Sequence, residues 1–160
     1  MNLRNLKASD APLMLEWMHD TTVVEKLQTN FASKTIDDCY AFIKNSITDS
    51  DINLAIADDN DEYMGTVSLK HMDSSSAEFA ITIRKCAMKK GISIWAMNEI
   101  IALAKNKYQI KDIYWCVSPE NLRAVRFYDK NGFSRVDIST IKANLHYTPE
   151  QINYYIWYKC

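Results

Sequence analysis

The segment at residues 88–93 reads Met-Lys-Lys-Gly-Ile-Ser and leads directly into a long apolar helix pattern. The chain has only 3 glycines, so Gly91 at a strand-to-helix turn needs a conformational reason. Successive backbone N–H groups of such a turn point toward whatever lies over the helix start, where the helix dipole favours negative charge. The turn therefore predicts an anion site, and phosphate is the first ligand to consider.

Basic side chains surround this turn, namely Arg84, Lys85, Lys89 and Lys90. They form a local positive cluster in a chain whose formal net charge is −1. On its own, such a cluster is more typical of a solvated basic loop than of a phosphate site. A second motif is needed to choose between these two interpretations.

The segment at residues 118–133 predicts a helix with well-defined ends. Ser118 can cap the helix, Pro119 suits its first position, and Gly132 can take the left-handed conformation that closes the far end. These structural requirements do not explain Asn121 or the hydroxyl group of Tyr128. A tyrosine among apolar neighbours is more often a core residue than a catalytic one, so the pattern alone leaves both roles of Tyr128 open.

The hydrophobic periodicity of the chain predicts the elements that must position these two segments, within one domain at residues 1–160. The predicted strands are residues 2–6, 52–56, 63–70, 77–83, 113–117, a strand after Gly132, and 152–158. Two helices are predicted before residue 52, starting near Ser9 and at a Thr35 capping box, and two more at 91–107 and 119–130. This order predicts an α+β fold with a mixed sheet. The strands on either side of the long helix would be neighbours, with ligands beyond their carboxyl ends.

The composition restricts the classes of function. Hydrophobic residues make up 48% of the chain and charged residues 24%, which is typical of a globular protein rather than a disordered one. The small net charge provides no general attraction for nucleic acids or acidic membranes. Charges interrupt the N-terminal segment and no stretch approaches about 18 apolar residues, so we expect a cytoplasmic protein. The 4 cysteines lie far apart without ligand spacing, so we expect neither a zinc site nor a disulfide framework.

Over nearly its whole length, the chain resembles the GNAT superfamily of acetyl-CoA-dependent N-acetyltransferases. In that family, an Asn-x-x-Ala-x-x-x-Tyr-x-x-x-Gly-Phe helix flanks the thioester. The positions that match it here are Asn121, Ala124, Tyr128, Gly132 and Phe133. The resemblance implies a mainly antiparallel mixed sheet flanked by helices on both faces.

The family's pyrophosphate turn, Gln/Arg-x-x-Gly-x-Gly/Ala, is matched only in part. Met88 replaces the usual Gln or Arg, and Ser93 replaces the second small residue. The backbone donors of the turn do not depend on these side chains. By resemblance we expect acetyl-CoA as the acetyl donor and no metal. The residues expected to bind acetyl-CoA are Ile83, Arg84, Lys85, Lys89, Lys90, Gly91, Ile92, Ser93, Asn121, Ala124 and Tyr128.

The implied reaction is attack of a neutral primary amine on the acetyl thioester, through a tetrahedral oxyanion, with expulsion of the CoA thiolate. By resemblance Tyr128 is the general acid that protonates the thiolate, and a backbone N–H of the strand at residues 77–83 contacts the oxyanion. Glu78 is a candidate general base, because strand alternation places it with Ala80 and Thr82 on one face. A carboxylate on a wet sheet face is an equally good interpretation of Glu78.

The N-terminal stretch resembles two branches of the family. One branch acetylates amino groups of nucleotide-linked sugars, and the other acetylates the N-termini of ribosomal proteins. The segment at residues 76–79 favours the first branch, so we expect a small-molecule amine. Candidate acceptor-binding residues are Trp17, His19, Phe31 and Glu78, with Tyr40 as a further aromatic candidate, although each aromatic residue is also typical of a core.

The sequence also allows a non-catalytic function and a homodimer. The departures at Met88 and Ser93 leave open a non-catalytic domain that binds acyl-CoA. The aromatic strand at residues 154–158 is a candidate edge for a homodimer.

Overall fold

The computed structural model describes residues 1–160 and contains seven β-strands, six α-helices and three short 3-10 helices. The strands are β1 (Asn2–Asn5), β2 (Ile52–Ala57), β3 (Tyr63–Lys70), β4 (Ser76–Ile83), β5 (Asp112–Val117), β6 (Ser134–Arg135) and β7 (Ile156–Lys159). The α-helices are α1 (Ala11–Met18), α2 (Thr21–Val24), α3 (Ile36–Lys44), α4 (Ile92–Tyr108), α5 (Leu122–Lys130) and α6 (Pro149–Tyr154). The 3-10 helices are Ala8–Asp10, Lys85–Ala87 and Ile138–Thr140.

All seven strands form one sheet in the order β1-β2-β3-β4-β5-β7-β6. Strands β4 and β5 are parallel, and every other neighbouring pair is antiparallel. Helix α4 makes the crossover between the parallel pair, as the sequence predicts. The prediction of an α+β fold with a mixed, mainly antiparallel sheet is confirmed.

The parallel pair separates soon after it forms. Residues 76–78 of β4 pair with residues 112–114 of β5, but β4 continues to Ile83 and β5 to Val117 without further pairing between them. The two strands therefore leave an opening in the middle of the sheet.

The hydrogen bonds of β4 show which backbone groups face this opening. The Arg84 N–H donates to the Met64 carbonyl at 2.8 Å, in line with the regular β3–β4 register that pairs Thr66 with Thr82. In an antiparallel pair, alternate residues direct both backbone groups toward the same neighbour. Thr82 therefore bonds to β3, whereas the N–H groups of Ile81 and Ile83 point toward the opening.

Helices α4 and α5 cover one face of the sheet. Buried α4 residues recur at helical spacing, as with Ala96, Met97 and Ile100, and they join a core cluster with Phe79 and Trp115 of the strands. The apolar residues of β2 and β3 that alternate toward this face belong to the same cluster. Because the apolar side of α4 is buried against the strands, the helix lies behind the opening.

The opposite face has two separate coverings. Helix α1 packs an apolar stripe of Met14, Trp17 and Met18 over Ala55 of β2 and Tyr63 of β3. The chain from about residue 136 to residue 155 covers the far part of the sheet, over Tyr114 of β5 and Trp157 of β7. Helices therefore flank both faces, and the two coverings leave a gap in front of β4.

Helix α5 begins later than the sequence predicts, at Leu122 rather than Pro119. Asn121 is the N-cap, because its Oδ1 accepts a hydrogen bond from the Ala124 N–H at 3.2 Å. Asn121 therefore has the structural role that we assigned to Ser118. The left-handed conformation expected at Gly132 is confirmed, with φ of 79°.

The C-terminal segment differs from the prediction of one long strand. Residues 149–154 form α6, because Thr148 caps the helix in a capping box with Gln151 and Pro149 occupies the first turn. Strand β7 follows and lies between β5 and β6, so both of its sides are paired. The prediction that residues 154–158 form a free dimer edge is therefore wrong.

Another difference lies between β1 and β2, where the structure has three α-helices instead of two. The additional helix, α2, has only four residues, and the Asp20 side chain caps it by accepting a hydrogen bond from the Thr22 N–H at 2.9 Å. So short a helix carries little hydrophobic periodicity, which explains why the pattern does not predict it.

Candidate active site

A cavity of about 300 Å³ lies between β4 and the starts of α4 and α5, and we call it the β4–α4 cavity. Six of the residues expected to bind acetyl-CoA line it: Ile83, Lys89, Ser93, Asn121, Ala124 and Tyr128. The structure thus brings together the two segments that the sequence analysis singled out. Sequence reasoning missed several other lining residues, and the main ones are Val23, Leu27, Ile81, Arg123 and Phe127.

The start of α4 offers a row of free backbone donors. Lys89 and Gly91 take left-handed conformations, with φ of 63° and 75°, and Gly91 is an N-cap without a side-chain partner. The backbone N–H groups of residues 89–94 donate to no acceptor in the chain. Because adjacent donors and a helix dipole converge here, this turn has the groups that anion binding requires.

Arg84, a predicted contact of acetyl-CoA, does not line this cavity, and its side chain is engaged elsewhere. Its guanidinium donates two hydrogen bonds of 3.0 Å to Glu16, one of 2.6 Å to Glu62 and one of 3.0 Å to the Tyr63 carbonyl. The backbone N–H of Arg84 is bonded to β3 as well. Arg84 therefore holds α1 and the β3 start to the end of β4.

The other predicted cofactor residues outside the cavity lining have different surroundings. Lys85 is exposed, and its Nζ lies 3.8 Å from Asp20. The side chains of Lys90 and Ile92 do not line the cavity, and neither does Gly91. These three residues contribute only free backbone N–H groups at the helix start.

Tyr128 presents an unengaged hydroxyl group to the β4–α4 cavity. Its ring is buried against Trp115 and Tyr158, at centroid distances of 5.3 and 5.1 Å. Burial raises the pKa of Tyr128, and the hydroxyl forms no hydrogen bond within the chain. Tyr128 is therefore both a core residue and a protonated donor available to a ligand.

A second cavity, of about 310 Å³, lies in front of β4 beneath α1 and α3, and we call it the α1–α3 cavity. Trp17 and Phe31, two of the predicted acceptor-binding residues, line it, with ring centroids 4.9 Å apart in an edge-to-face arrangement. The Trp17 indole N–H donates to the Tyr63 hydroxyl at 3.0 Å, and Tyr63 is 2.7 Å from the Thr66 hydroxyl. These hydrogen bonds fix the orientation of the Trp17 ring in the cavity wall.

Two predicted acceptor residues lie outside the α1–α3 cavity. His19 is exposed, and its Nε2 lies 2.8 Å from the backbone carbonyl of Lys34. Tyr40 is exposed on α3. The reason is helical phase, because the buried stripe of α1 ends at Met18 and the buried position of α3 is Cys39.

The two cavities meet at the opening between β4 and β5. Ile81 and Thr82 line both of them. The Ile81 N–H points into the same opening, as the β3–β4 register indicates. A ligand in one cavity can therefore reach a ligand in the other at the middle of β4.

Glu78 lies at the point where β4 and β5 separate, in a smaller polar pocket beside the α1–α3 cavity. Its buried carboxylate accepts a hydrogen bond from the Tyr147 hydroxyl and lies 3.8 Å from His71 Nε2. His71 in turn stacks on His146, with a centroid distance of 3.9 Å. Lys70 lines both this pocket and the α1–α3 cavity, which places Glu78 beside that cavity rather than inside it.

Sequence reasoning missed Tyr147 and His146 because they come from the irregular segment before α6. No spacing rule connects that segment with Glu78, which lies more than sixty residues earlier in the chain.

A family model described as an acetyltransferase (GNAT) domain matches residues 1–134. The chain belongs to the GNAT acetyltransferase family. The identification made from the Asn121 and Gly91 segments is thus confirmed at the level of the family. No curated protein matches the chain.

Several solved structures share the fold at low sequence identity. The spermidine N-acetyltransferase of Vibrio cholerae in complex with CoA and spermine is 19% identical, with a TM-score of 0.76, and the match covers 99% of this chain and 92% of that one. A GNAT-family acetyltransferase from Bacillus anthracis is 16% identical, with a TM-score of 0.74, and the match covers 98% and 90%. A dodecameric form of the Vibrio cholerae enzyme is 19% identical, with a TM-score of 0.68, and covers 99% and 90%.

Two further observations concern membrane-spanning helices and clusters of metal-binding side chains. None of its helices combines the length and apolarity needed to cross a membrane. No group of three or more His, Cys, Asp or Glu side chains is arranged to hold a metal ion.

We predict that Arg84→Met lowers stability without lowering affinity for CoA. The Arg84 side chain is 9% exposed, whereas Glu16 and Glu62 are each 52% exposed, so the substitution leaves both carboxylates in water. The expected loss in the free energy of unfolding is about 2 kcal/mol, measured by urea denaturation.

The matched variant Lys89→Met should do the reverse, with unchanged stability and a CoA dissociation constant raised by up to about tenfold. Calorimetric titration with CoA measures the difference. Loss of CoA affinity in Arg84→Met, at a temperature where the variant is folded, would contradict the structural role of Arg84.

Proposed function

We propose that this GNAT protein transfers the acetyl group of acetyl-CoA to the primary amine of a small molecule. The observation that carries the proposal is the meeting of the two cavities at Ile81 and Thr82, in the opening between β4 and β5. One cavity has free anion-binding donors and the other has aromatic walls. Such an arrangement suits two substrates that must react at a shared point.

The residues of the β4–α4 cavity fit the chemistry of CoA. The phosphates would lie over the free N–H groups of residues 89–94, with Lys89 as an additional cation. The apolar side chains of Leu27, Phe127 and Ile83 would contact the pantetheine arm, whose amides can pair with the unpaired edge of β4. The departures at Met88 and Ser93 remove none of these backbone donors, so CoA binding does not depend on them. The alternative, a non-catalytic domain that binds acyl-CoA, would show CoA binding without release of thiol.

Three groups of the chain would carry out the reaction at the opening. The Ile81 N–H would donate to the oxyanion of the tetrahedral intermediate. The Tyr128 hydroxyl would protonate the departing thiolate, since it is protonated, unengaged and part of the cavity lining. Glu78 would accept the amine proton through water, because it lies next to the α1–α3 cavity rather than within it.

The α1–α3 cavity supports a compact acceptor. Its volume of about 310 Å³ lies at the lower end of the range for small-molecule sites. The edge-to-face pair of Trp17 and Phe31 offers apolar ring surfaces to a sugar, a base or an alkyl chain. A nucleotide-linked amino sugar, the acceptor that the sequence favours, has no support in the comparisons, where the named acceptor substrate is spermidine. Protein N-termini are the alternative acceptor from the sequence.

Tyr128→Phe tests this function most simply. The phenylalanine keeps the packing on Trp115, so CoA should still bind and raise the melting temperature. Release of free thiol in the presence of an accepted amine should fall by about 10²-fold in kcat, because the general acid is lost.

Tyr108→Phe is the control, since Tyr108 lies on α4 away from both cavities. Its turnover should equal that of the unmodified protein. If Tyr128→Phe turns over equally fast, another group protonates the thiolate. If CoA fails to raise the melting temperature of the unmodified protein, the cofactor assignment itself is wrong.

Glu78→Gln should flatten the alkaline-rising limb of the pH–rate profile. A general base accepts a proton only in its deprotonated form, which gives the rising limb, and glutamine cannot accept that proton. Glutamine can still accept the hydrogen bond from Tyr147.

Tyr147→Phe provides the comparison, because it removes the hydrogen bond and keeps the carboxylate. This variant should retain the rising limb. An unchanged profile in Glu78→Gln would assign proton removal to another group and leave Glu78 a structural role.

A further inference from the structure

The charged side chains that line the α1–α3 cavity are Lys34, Asp38 and Lys70, so lysines outnumber acids two to one. The Vibrio cholerae relative was crystallised with spermine, a polycation, which would require the opposite balance. The charge of this cavity is therefore informative about which amines can enter it.

Asp38, the only acidic residue in the cavity lining, already accepts hydrogen bonds from within the chain. The Asp38 carboxylate accepts hydrogen bonds from the Thr35 N–H at 2.8 Å and from the Thr35 hydroxyl at 3.0 Å, as part of the capping box of α3. These hydrogen bonds lower the pKa of Asp38, and the charge of Lys34 adds to the effect. Asp38 is thus stabilised as an anion by the chain itself.

Neither lysine forms a comparable contact, although Lys70 lies opposite Glu78 in the β3–β4 register. The Nζ atoms of Lys34 and Lys70 take part in none of the ion pairs and none of the side-chain hydrogen bonds of the protein. Both residues are half-buried. By contrast, Arg84 is paired with Glu16 and Lys85 with Asp20. Two ammonium groups without an ion-pair partner in the lining of one cavity can contact an anion there.

The distance along the sheet between Lys70 and the point where the cavities meet suits a substrate with two functional groups. Ser68 of β3 is opposite Ala80 of β4, and Lys70 lies two residues further along, about 7 Å from the level of Ala80. The reacting amine would lie near Ile81, where the cavities meet. A small molecule whose anionic group forms an ion pair with Lys70 would therefore need several bonds between that group and its amine.

We propose that the acceptor is an amine that also carries an anionic group, a phosphate or a carboxylate, which Lys34 and Lys70 bind. This inference rests on the proposed acetyl transfer and specifies the substrate class. Free polyamines would be poor substrates, because their ammonium groups would face these two lysines.

Matched pairs of acceptors test the charge of the substrate directly. Glucosamine 6-phosphate is compared with glucosamine, and 4-aminobutanoate with 1,4-diaminobutane and spermidine, in a thiol-release assay with acetyl-CoA. The anionic member of at least one pair should have a kcat/KM about tenfold or more above its partner. The first pair reports on a phosphate and the second on a carboxylate.

Variants then locate the effect. Lys34→Met and Lys70→Met should each lower kcat/KM for the preferred anionic acceptor several-fold and leave kcat/KM for glucosamine, which has no anionic group, unchanged. Lys34→Glu should shift the preference toward 1,4-diaminobutane. Lys44→Met, at an exposed position in the last turn of α3, is the control and should change neither value.

If none of these amines is acetylated, binding measurements test the inference instead. Glucosamine 6-phosphate and glucosamine are titrated into the CoA complex by calorimetry, and the phosphate should bind at least about tenfold tighter. Preference for spermidine, or equal effects of the lysine variants on acceptors with and without an anionic group, would overturn the inference while leaving acetyl transfer intact. Failure of CoA to bind would overturn the proposed function instead.

Discussion

The separation of β4 from β5 after residue 78 is the constraint on which the rest of the site depends. Backbone groups at an unpaired strand edge must find partners, and the N–H groups of Ile81 and Ile83 face an opening rather than a neighbouring strand. Strand β5 meanwhile pairs with β7 on its other side, so the sheet stays continuous around the gap. A ligand that inserts there can act as the missing strand partner.

Aromatic packing holds this opening in place from behind. Trp115 of β5 contacts Phe79 of β4 at 5.5 Å and Tyr128 of α5 at 5.3 Å between ring centroids. The same packing brings the Tyr128 hydroxyl to the cavity, so one side chain serves both the core and the site. Helix α4 contributes its dipole and free donors because its apolar stripe is buried on the sheet directly behind. Stability and function therefore rely on the same contacts.

Local patterns predicted most of the fold and the parts of the site that come from continuous segments. The Gly91 turn and the α5 segment were identifiable because their residue types serve backbone conformation and capping, although the cap proved to be Asn121 instead of Ser118. Contacts between distant segments were not predictable. Nothing in the sequence shows that Arg84 is held by Glu16, or that Tyr147 reaches Glu78, since those pairings arise only when the sheet brings distant segments together.

The proposed function rests on binding of CoA to the free backbone donors of the α4 start and the β4 edge. Titration of isotope-labelled protein with CoA, followed by amide ¹H–¹⁵N correlation spectra, tests it residue by residue. The largest shifts should fall on residues 89–94 and on Ile81 and Ile83, and Arg84, whose N–H is bonded to Met64, should shift less. Shifts that spare these donors, or that are centred on the basic side chains at residues 84–85 instead, would contradict it.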